Sequence, residues 1–235
     1  LRQNHDYESS LAQDGVWRGI LLMAMYATVR GEKRKDRQRV RERKRGRDLM
    51  SGYYSVDELK ELGLREFGKN VLISRKASIC NPANLSVGDN VRIDDFVLIT
   101  GSVWLHSYIH IGSFCSLGGR AGIIMHDFSG LSAGTKVFSM SDDYSGEYMA
   151  NSAVPERYRK VSGGTIYFER HALVGANSVV LPGVTISEGA AVGAMSLVTK
   201  TVPPFWLYAG IPAKPIRERK RNLLALEEKL RRECQ

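Results

Sequence analysis

A six-residue period runs through the chain from Val87 to Pro203 and restricts its fold more than any other feature. Aliphatic residues stand at Val87, Ile93, Ile99, Leu105, Ile111 and Leu117, and four residues beyond the first five come Val91, Val97, Val103, Ile109 and Cys115. A second run keeps the phase, with Phe168, Val174, Val180, Ile186, Val192 and Val198 as its large residues and Ala172, Ser178, Val184, Ala190, Ser196 and Val202 as its smaller ones. This period matches neither the ~3.6 residues of an amphipathic helix nor the ~2 of an alternating strand. Short, fixed self-similarity of this kind marks a parallel β-helix, in which three hexads close one triangular coil. Weaker hexads start at Phe67, Ile73 and Ile79, with a two-residue slip before Val87; a second slip separates Leu117 from Met125, Leu131 and Val137. About eighteen hexads predict about six coils and, at a strand spacing of roughly 4.8 Å, a prism on the order of 29 Å tall. The plainer alternative is an all-β sandwich with evenly spaced strands. Gly, Asp or Asn follow aliphatic positions in Val87-Gly88-Asp89-Asn90, Val174-Gly175 and Val192-Gly193, as expected where a chain turns with unusual backbone angles.

Residues 1–49 lack the repeat. They hold an apolar-leaning stretch from Val16 to Val29 and then eleven Lys or Arg between Arg30 and Arg47. The apolar part is too short to span a bilayer, and a signal peptide carries its charges before its apolar core rather than after it. Met50 opens a stretch leading into a short helix at Val56 to Leu62 capped by Ser55, so residues 50–66 read as a helical lead-in to a β-helix over 67–208. The expectation is that Met50 is the biological start and that residues 1–49 are a disordered or non-native extension. The alternative is a genuine basic extension that meets a membrane surface or a partner. Thirteen Lys or Arg against seven Asp or Glu give that segment +6 of the total +9. Residues 50–235 keep only +3, and with no aromatic interleaving in the basic block nucleic acid is not an expected partner. Membrane insertion is not expected either.

Two further segments depart from the hexads. Asp142 to Thr165 is a long excursion, 142–165, of the kind that is more often functional than accidental in a rigid solenoid. Residues 209–235 close the chain, with Arg219 to Glu233 reading as a helix whose stripe of Leu223, Leu224, Leu226 and Leu230 packs on the prism or on a neighbouring subunit.

The hexads, the excursion, the run Ala172-Leu173-Val174-Gly175-Ala176-Asn177-Ser178-Val179-Val180-Leu181-Pro182-Gly183-Val184 and the ending Gly210-Ile211-Pro212-Ala213-Lys214-Pro215-Ile216 together resemble the hexapeptide-repeat acyltransferases. The resemblance covers about residues 53–222. With Ser141-Asp142-Asp143-Tyr144-Ser145-Gly146-Glu147-Tyr148-Met149 and Arg92-Ile93-Asp94-Asp95-Phe96, the chain is most similar to the branch that N-acetylates nucleotide-linked amino sugars for surface polysaccharide, the dTDP-viosamine acetyltransferases among them. What the resemblance implies is an all-β, left-handed parallel β-helix with a C-terminal α-helix and a protruding loop. It also implies a homotrimer with active sites between subunits, acetyl-CoA as acyl donor, a nucleotide sugar as acceptor, and a cytoplasmic enzyme of lipopolysaccharide or O-antigen biosynthesis. Positions matching the family's donor contacts are Gly175, Ala176, Gly193 and Ala194, with Lys200, Lys214 and Arg217 available for CoA phosphates. For Gly175 and Gly193 plain turn geometry is the competing explanation, and for the lysines a solvated surface.

Many sugar O-acetyltransferases of this family place a histidine base early in the excursion, where this chain has Asp142 and then Asp143. A carboxylate is a poor base for a hydroxyl but can orient an ammonium group and accept its proton, so the departure favours an amine acceptor. His110 lies where family members contact the acceptor, and it completes the catalytic candidates. On hexad phase His110 and Asp142 fall at different corners of one prism and could cooperate only across a subunit interface. His171, beside Arg170, reads as a surface residue. His106 and His126 share a hexad position one coil apart and should stack. They raise a metal reading like that of the γ-class carbonic anhydrases, but His110 does not supply the third ligand at the right spacing, and no metal is expected. Tyr144 is a candidate for stacking on the acceptor and Arg120, beside Gly118-Gly119, for its pyrophosphate; a surface arginine is the plainer reading of the latter. Three cysteines form no disulfide framework, and Cys115 and Cys80 read as packing residues, so direct transfer through a ternary complex is preferred to an acyl-enzyme. The readings left beside N-acetylation are a saccharide O-acetyltransferase and an idle or metal-binding hexapeptide scaffold.

Overall fold

The computed structural model describes residues 52–233, so the reading of residues 1–49 falls outside the described residues. The hexads wind into a left-handed parallel β-solenoid of about seven turns. Their large residues stack in three ladders of parallel strands. One ladder joins Phe67, Val87, Leu105, Met125, Phe168 and Ile186. A second joins Ile73, Ile93, Ile111, Leu131, Val174, Val192 and Tyr208. The third joins Ile79, Ile99, Leu117, Val137, Val180 and Val198. Nearly all are buried, as are the smaller residues four positions on, from Val91 to Val202. Each buried aliphatic side chain contributes about 1.5–3 kcal/mol relative to exposure, so the prism is held by a one-dimensional apolar column.

Two boundaries differ from the sequence expectation. The turns number about seven rather than six, because Trp206–Ala209 lays a further strand on Ala191–Val192. Lys214–Glu218 then pairs antiparallel with Trp206–Ala209 and covers the open sheet edge. That strand delays the C-terminal helix to Asn222–Glu233, rather than Arg219, whose backbone N–H is tied to Phe205 O at 2.7 Å. At the other end, a helix over Val56–Glu61 begins with a reciprocal Ser55/Glu58 capping box. Arg75 grips the Glu58 carboxylate with two bonds of 2.7 Å and, with the cap, holds that carboxyl down to about 2.

The C-terminal helix docks through the partly covered Leu223, Leu224 and Leu230 and through a buried charge. Leu226 is 66% exposed, whereas the side chain of Glu227 is only 4% exposed. Its carboxylate accepts bonds from His171 Nε2 at 2.6 Å, Arg231 Nε at 2.8 Å and an Arg170 guanidinium nitrogen at 3.4 Å. His171 is thereby corrected from surface residue to a largely buried link, its ring stacked on Phe128, which stacks on Tyr108, at centroid separations of 5.0 and 4.7 Å.

The glycines after the aliphatic positions also have a different cause from the one expected. Left-handed backbone falls two residues later, at Asn90, Asn177 and Met195, and the same conformation is taken by Phe96, Tyr108, Phe114 and Phe128. Gly88, Gly175 and Gly193 are needed because the neighbouring coil stands where a side chain would be: a Cβ on Gly88 would lie 2.7 Å from the carbonyl carbon of His106, and one on Gly175 2.7 Å from that of Gly193. The second slip is a bulge. Gly101 pairs with Gly119 but Val103 with Ile123, so Arg120 to Gly122 project from the ladder. The excursion rises on an antiparallel stem, Met140–Asp142 against Val161–Gly163.

Gly175→Ala, which drives a methyl into backbone, is expected to destabilise the protein by about 2 kcal/mol or more. Gly118→Ala, where the nearest atom is Phe138 Cδ1 at 3.4 Å, should stay within about 0.5 kcal/mol of wild type in urea titrations.

Candidate active site

Parallel stacking sets Arg92, His110, Gly130 and Leu173 on successive outward rungs of the second ladder. Two residues beyond Arg92, at the corner, Asp94 turns back along the face. It accepts His110 Nε2 at 2.8 Å, Arg92 Nε at 2.6 Å and the Tyr53 hydroxyl at 3.3 Å. Burial opposes ionisation of Asp94, but the bonds and charges of His110 and Arg92 outweigh it and hold the carboxyl below the usual range. The Asp94 contact in turn pushes the Arg92 guanidinium up. An ionised carboxylate only accepts, so Nε2 of His110 carries the proton it donates, and in the neutral imidazole the lone pair lies on Nδ1. His110 and Asp94 line a groove of about 500 Å³ with Tyr108, Phe128, Gly130 and Leu173.

The groove runs into a corner built from small residues. Ser113 and Ala133 line it, and the corner continues coil by coil to Ala176 and Ala194 through the bonds Gly134 N–H to Ser113 O, Asn177 N–H to Ala133 O and Met195 N–H to Ala176 O, at 2.8 to 3.0 Å. The amides of Ser113, Ala133, Ala176 and Ala194 donate no hydrogen bond among the described residues. Those of Gly175 and Gly193 are committed to Val192 O and Tyr208 O at 2.8 and 2.7 Å. Of the four small candidates, the two alanines therefore offer donors, while the glycines serve close coil packing. Lys200, Lys214 and Arg217 are exposed and make no ion pair among the described residues. Free amides for an amide-rich arm and unpaired cations for phosphates fit an acyl-CoA chemically.

The excursion candidates are elsewhere. Asp142 accepts Asn151 N–H at 3.3 Å, lies 3.8 Å from Arg159, and is not among the residues lining the His110 groove. Asp143 is occupied within its own loop by the Ser145 hydroxyl and the amides of Gly146 and Tyr148. Tyr144 is 91% exposed. Arg120 stands 3.8 Å from Glu156 and shares a smaller cavity with Met140, Arg159 and Val161. Within one chain the His110 groove reaches Ser113 and Ala133, the start of the corner that Ala176 and Ala194 continue, and does not include Asp142, Asp143, Tyr144 or Arg120. In the sequence Asp94 stood only within the motif Arg92 to Phe96 and had no role of its own; the signal for one was its place two residues after Arg92, one coil from His110. Cys115 is buried, donates to Ser132 O at 3.1 Å, and burial pushes its thiol up, which makes it no nucleophile. The His106 and His126 rings lie 4.7 Å apart, and no group of three or more His, Cys, Asp or Glu among the described residues is placed to hold a metal. No helix among the described residues is long and apolar enough to cross a membrane.

A hexapeptide solenoid with a histidine–carboxylate pair in a lateral groove and a corner of free amides beside it has the architecture of the β-helix acyltransferases. No protein-family model matches the chain. The chain is 42% identical over 178 residues to the dTDP-4-amino-4,6-dideoxy-D-glucose acyltransferase of Escherichia coli, covering 74% of this chain and 93% of that protein. AntD, an N-acyltransferase from Bacillus cereus solved with dTDP and 3-hydroxybutyryl-CoA, is 42% identical with a TM-score of 0.76 over 78% of this chain and 98% of that one. A putative lipopolysaccharide biosynthesis O-acetyl transferase of Escherichia coli K12, WbbJ, is 29% identical over 66% of this chain and 82% of its own length. The chain belongs to the hexapeptide-repeat acyltransferases, in the family of the dTDP-4-amino-4,6-dideoxy-D-glucose acyltransferase.

Because the Asp94 carboxyl is depressed in the folded state, its contribution to stability is present above the unfolded carboxylate range and is lost as pH falls through the folded value. The stability gap between wild type and Asp94→Asn should therefore be widest near neutrality and shrink as pH drops below about 4, measured by thermal unfolding across pH.

Proposed function

We propose that this protein transfers the acetyl group of acetyl-CoA to the amine of a nucleotide-linked amino-deoxy sugar, of the dTDP-4-amino-4,6-dideoxyglucose kind, for surface polysaccharide. The observation that carries this reading is the His110–Asp94 pair opening into the same groove as the free-amide corner. The donor arm lies along Ser113, Ala133, Ala176 and Ala194, with its phosphates toward Lys200, Lys214 and Arg217. Its thioester then reaches the imidazole. The neutral amine attacks the carbonyl carbon, the carbon–sulfur bond breaks with its electron pair leaving on sulfur, and the proton shed by nitrogen passes to Nδ1 of His110. Asp94 holds the imidazole in the tautomer that can accept it. In a cytoplasmic homotrimer, a neighbouring subunit's excursion brings Asp142, Asp143, Tyr144 and Arg120 to the acceptor; the exposed, stacked Phe96 and Phe114, 5.0 Å apart, support burial of that corner against a partner. A second reading is O-acetylation of a saccharide hydroxyl, which the His110–Asp94 pair favours because an oriented imidazole can also accept a hydroxyl proton.

With acetyl-CoA and thiol release as readout, the full chain is expected to turn over dTDP-4-amino-4,6-dideoxyglucose and not its 4-hydroxy counterpart. His110→Ala should lower kcat about a hundredfold with little change in KM. Turnover of the hydroxyl sugar alone moves the reading to O-acetylation, and the absence of both turnover and CoA binding moves it to a scaffold.

A further inference from the structure

Gly130 holds the outward position between His110 on one coil and Leu173 on the next. Nothing in the backbone demands glycine there. It is not among the positive-φ residues, and a Cβ would stand 3.4 Å from His110 O and 3.7 Å from Leu173 Cδ1, which are ordinary contacts. Gly112, in contrast, faces Ala133 N at 2.7 Å from the position of its missing Cβ. The missing side chain at Gly130 therefore shapes the groove and not the chain. It leaves a recess beside the imidazole, walled by Leu173, itself 46% exposed, and by Tyr108 and Phe128.

We propose that Gly130 is a specificity-determining residue: it holds open an apolar recess beside His110 for the acyl chain of the donor, so that the protein accepts acyl groups longer than acetyl. This rests on the reading of the His110 groove as the transfer site. The walls decide the occupant. Leu173 and the rings of Tyr108 and Phe128 beside Gly130 suit methylenes, while the polar side chains of the groove, Asp94, His110 and Ser129 among them, suit the polar reacting groups. The free amides of Ser113 and Ala133, which line the same groove, bring the donor arm to this side. When the amine attacks and the thiolate leaves, the alkyl chain on the carbonyl carbon is the group that remains beside Gly130.

The test is kcat/KM for acetyl-, propionyl- and butyryl-CoA with the full chain and a fixed amino-sugar acceptor. Wild type is expected to use butyryl-CoA at a rate comparable with acetyl-CoA. In Gly130→Ala the butyryl-to-acetyl ratio should fall at least tenfold, and in Leu173→Ala, which widens the recess, it should rise about fourfold or more. An unchanged ratio in Gly130→Ala, or a raised acceptor KM in place of a changed ratio, overturns the inference, as does a wild type that uses acetyl-CoA alone. His110→Ala turning over all donors as fast as wild type overturns the groove as the transfer site, and this inference with it; loss of turnover in His110→Ala with an unchanged ratio in Gly130→Ala overturns the inference alone.

Discussion

Backbone hydrogen bonding between successive coils is the constraint on which the rest of this structure depends. Leu72 N–H donates to Val91 O, Arg92 N–H to Ile109 O and Leu173 N–H to Ala190 O, at 2.8 to 3.0 Å, and equivalent bonds run along every face. They hold the coils at one strand spacing and leave no freedom to slide without breaking whole ladders. Glycine is imposed where two corners approach too closely for a Cβ, and two-residue insertions are accommodated only by leaving the ladder, as in the Pro82–Asn84 turn or the bulge at Arg120.

The same constraint makes the site. Residues eighteen apart, Arg92 and His110, become nearest neighbours, and Asp94 reaches both because it sits at the corner they share. The coil ladders set the imidazole beside the corner that carries the free amides within one chain. Such preorganisation costs nothing at the moment of reaction, which is its value for a transfer that needs an oriented base and an aligned thioester.

The C-terminal helix belongs to the same construction. Glu227 clamps His171, which completes the stacked pillar with Phe128 and Tyr108, and the latter two form one wall of the groove. Arg231 adds a bond to Asp127 at 3.1 Å beside that wall. A buried carboxylate with three cationic or imidazole partners is costly to desolvate, but its geometry admits few alternatives, so it specifies where the helix docks more than it adds stability.

The solenoid and its three ladders were legible from Val87, Ile93, Ile99 and their repeats, because an apolar residue every six positions has only one face to turn inward in a triangular coil. The short first helix was legible from Ser55 and Glu58. The cofactor candidates Ala176 and Ala194 could be named from their motif, yet only the wound chain separates their free amides from the committed ones of Gly175 and Gly193. The partnership of His110 with Asp94, the burial of His171 against Glu227, and the open position at Gly130 were decided by tertiary structure. A periodic sequence fixes which side chains face in or out, a one-dimensional property; which outward side chains meet depends on slips, bulges and corner angles accumulated over coils, and these exist only once the chain is wound.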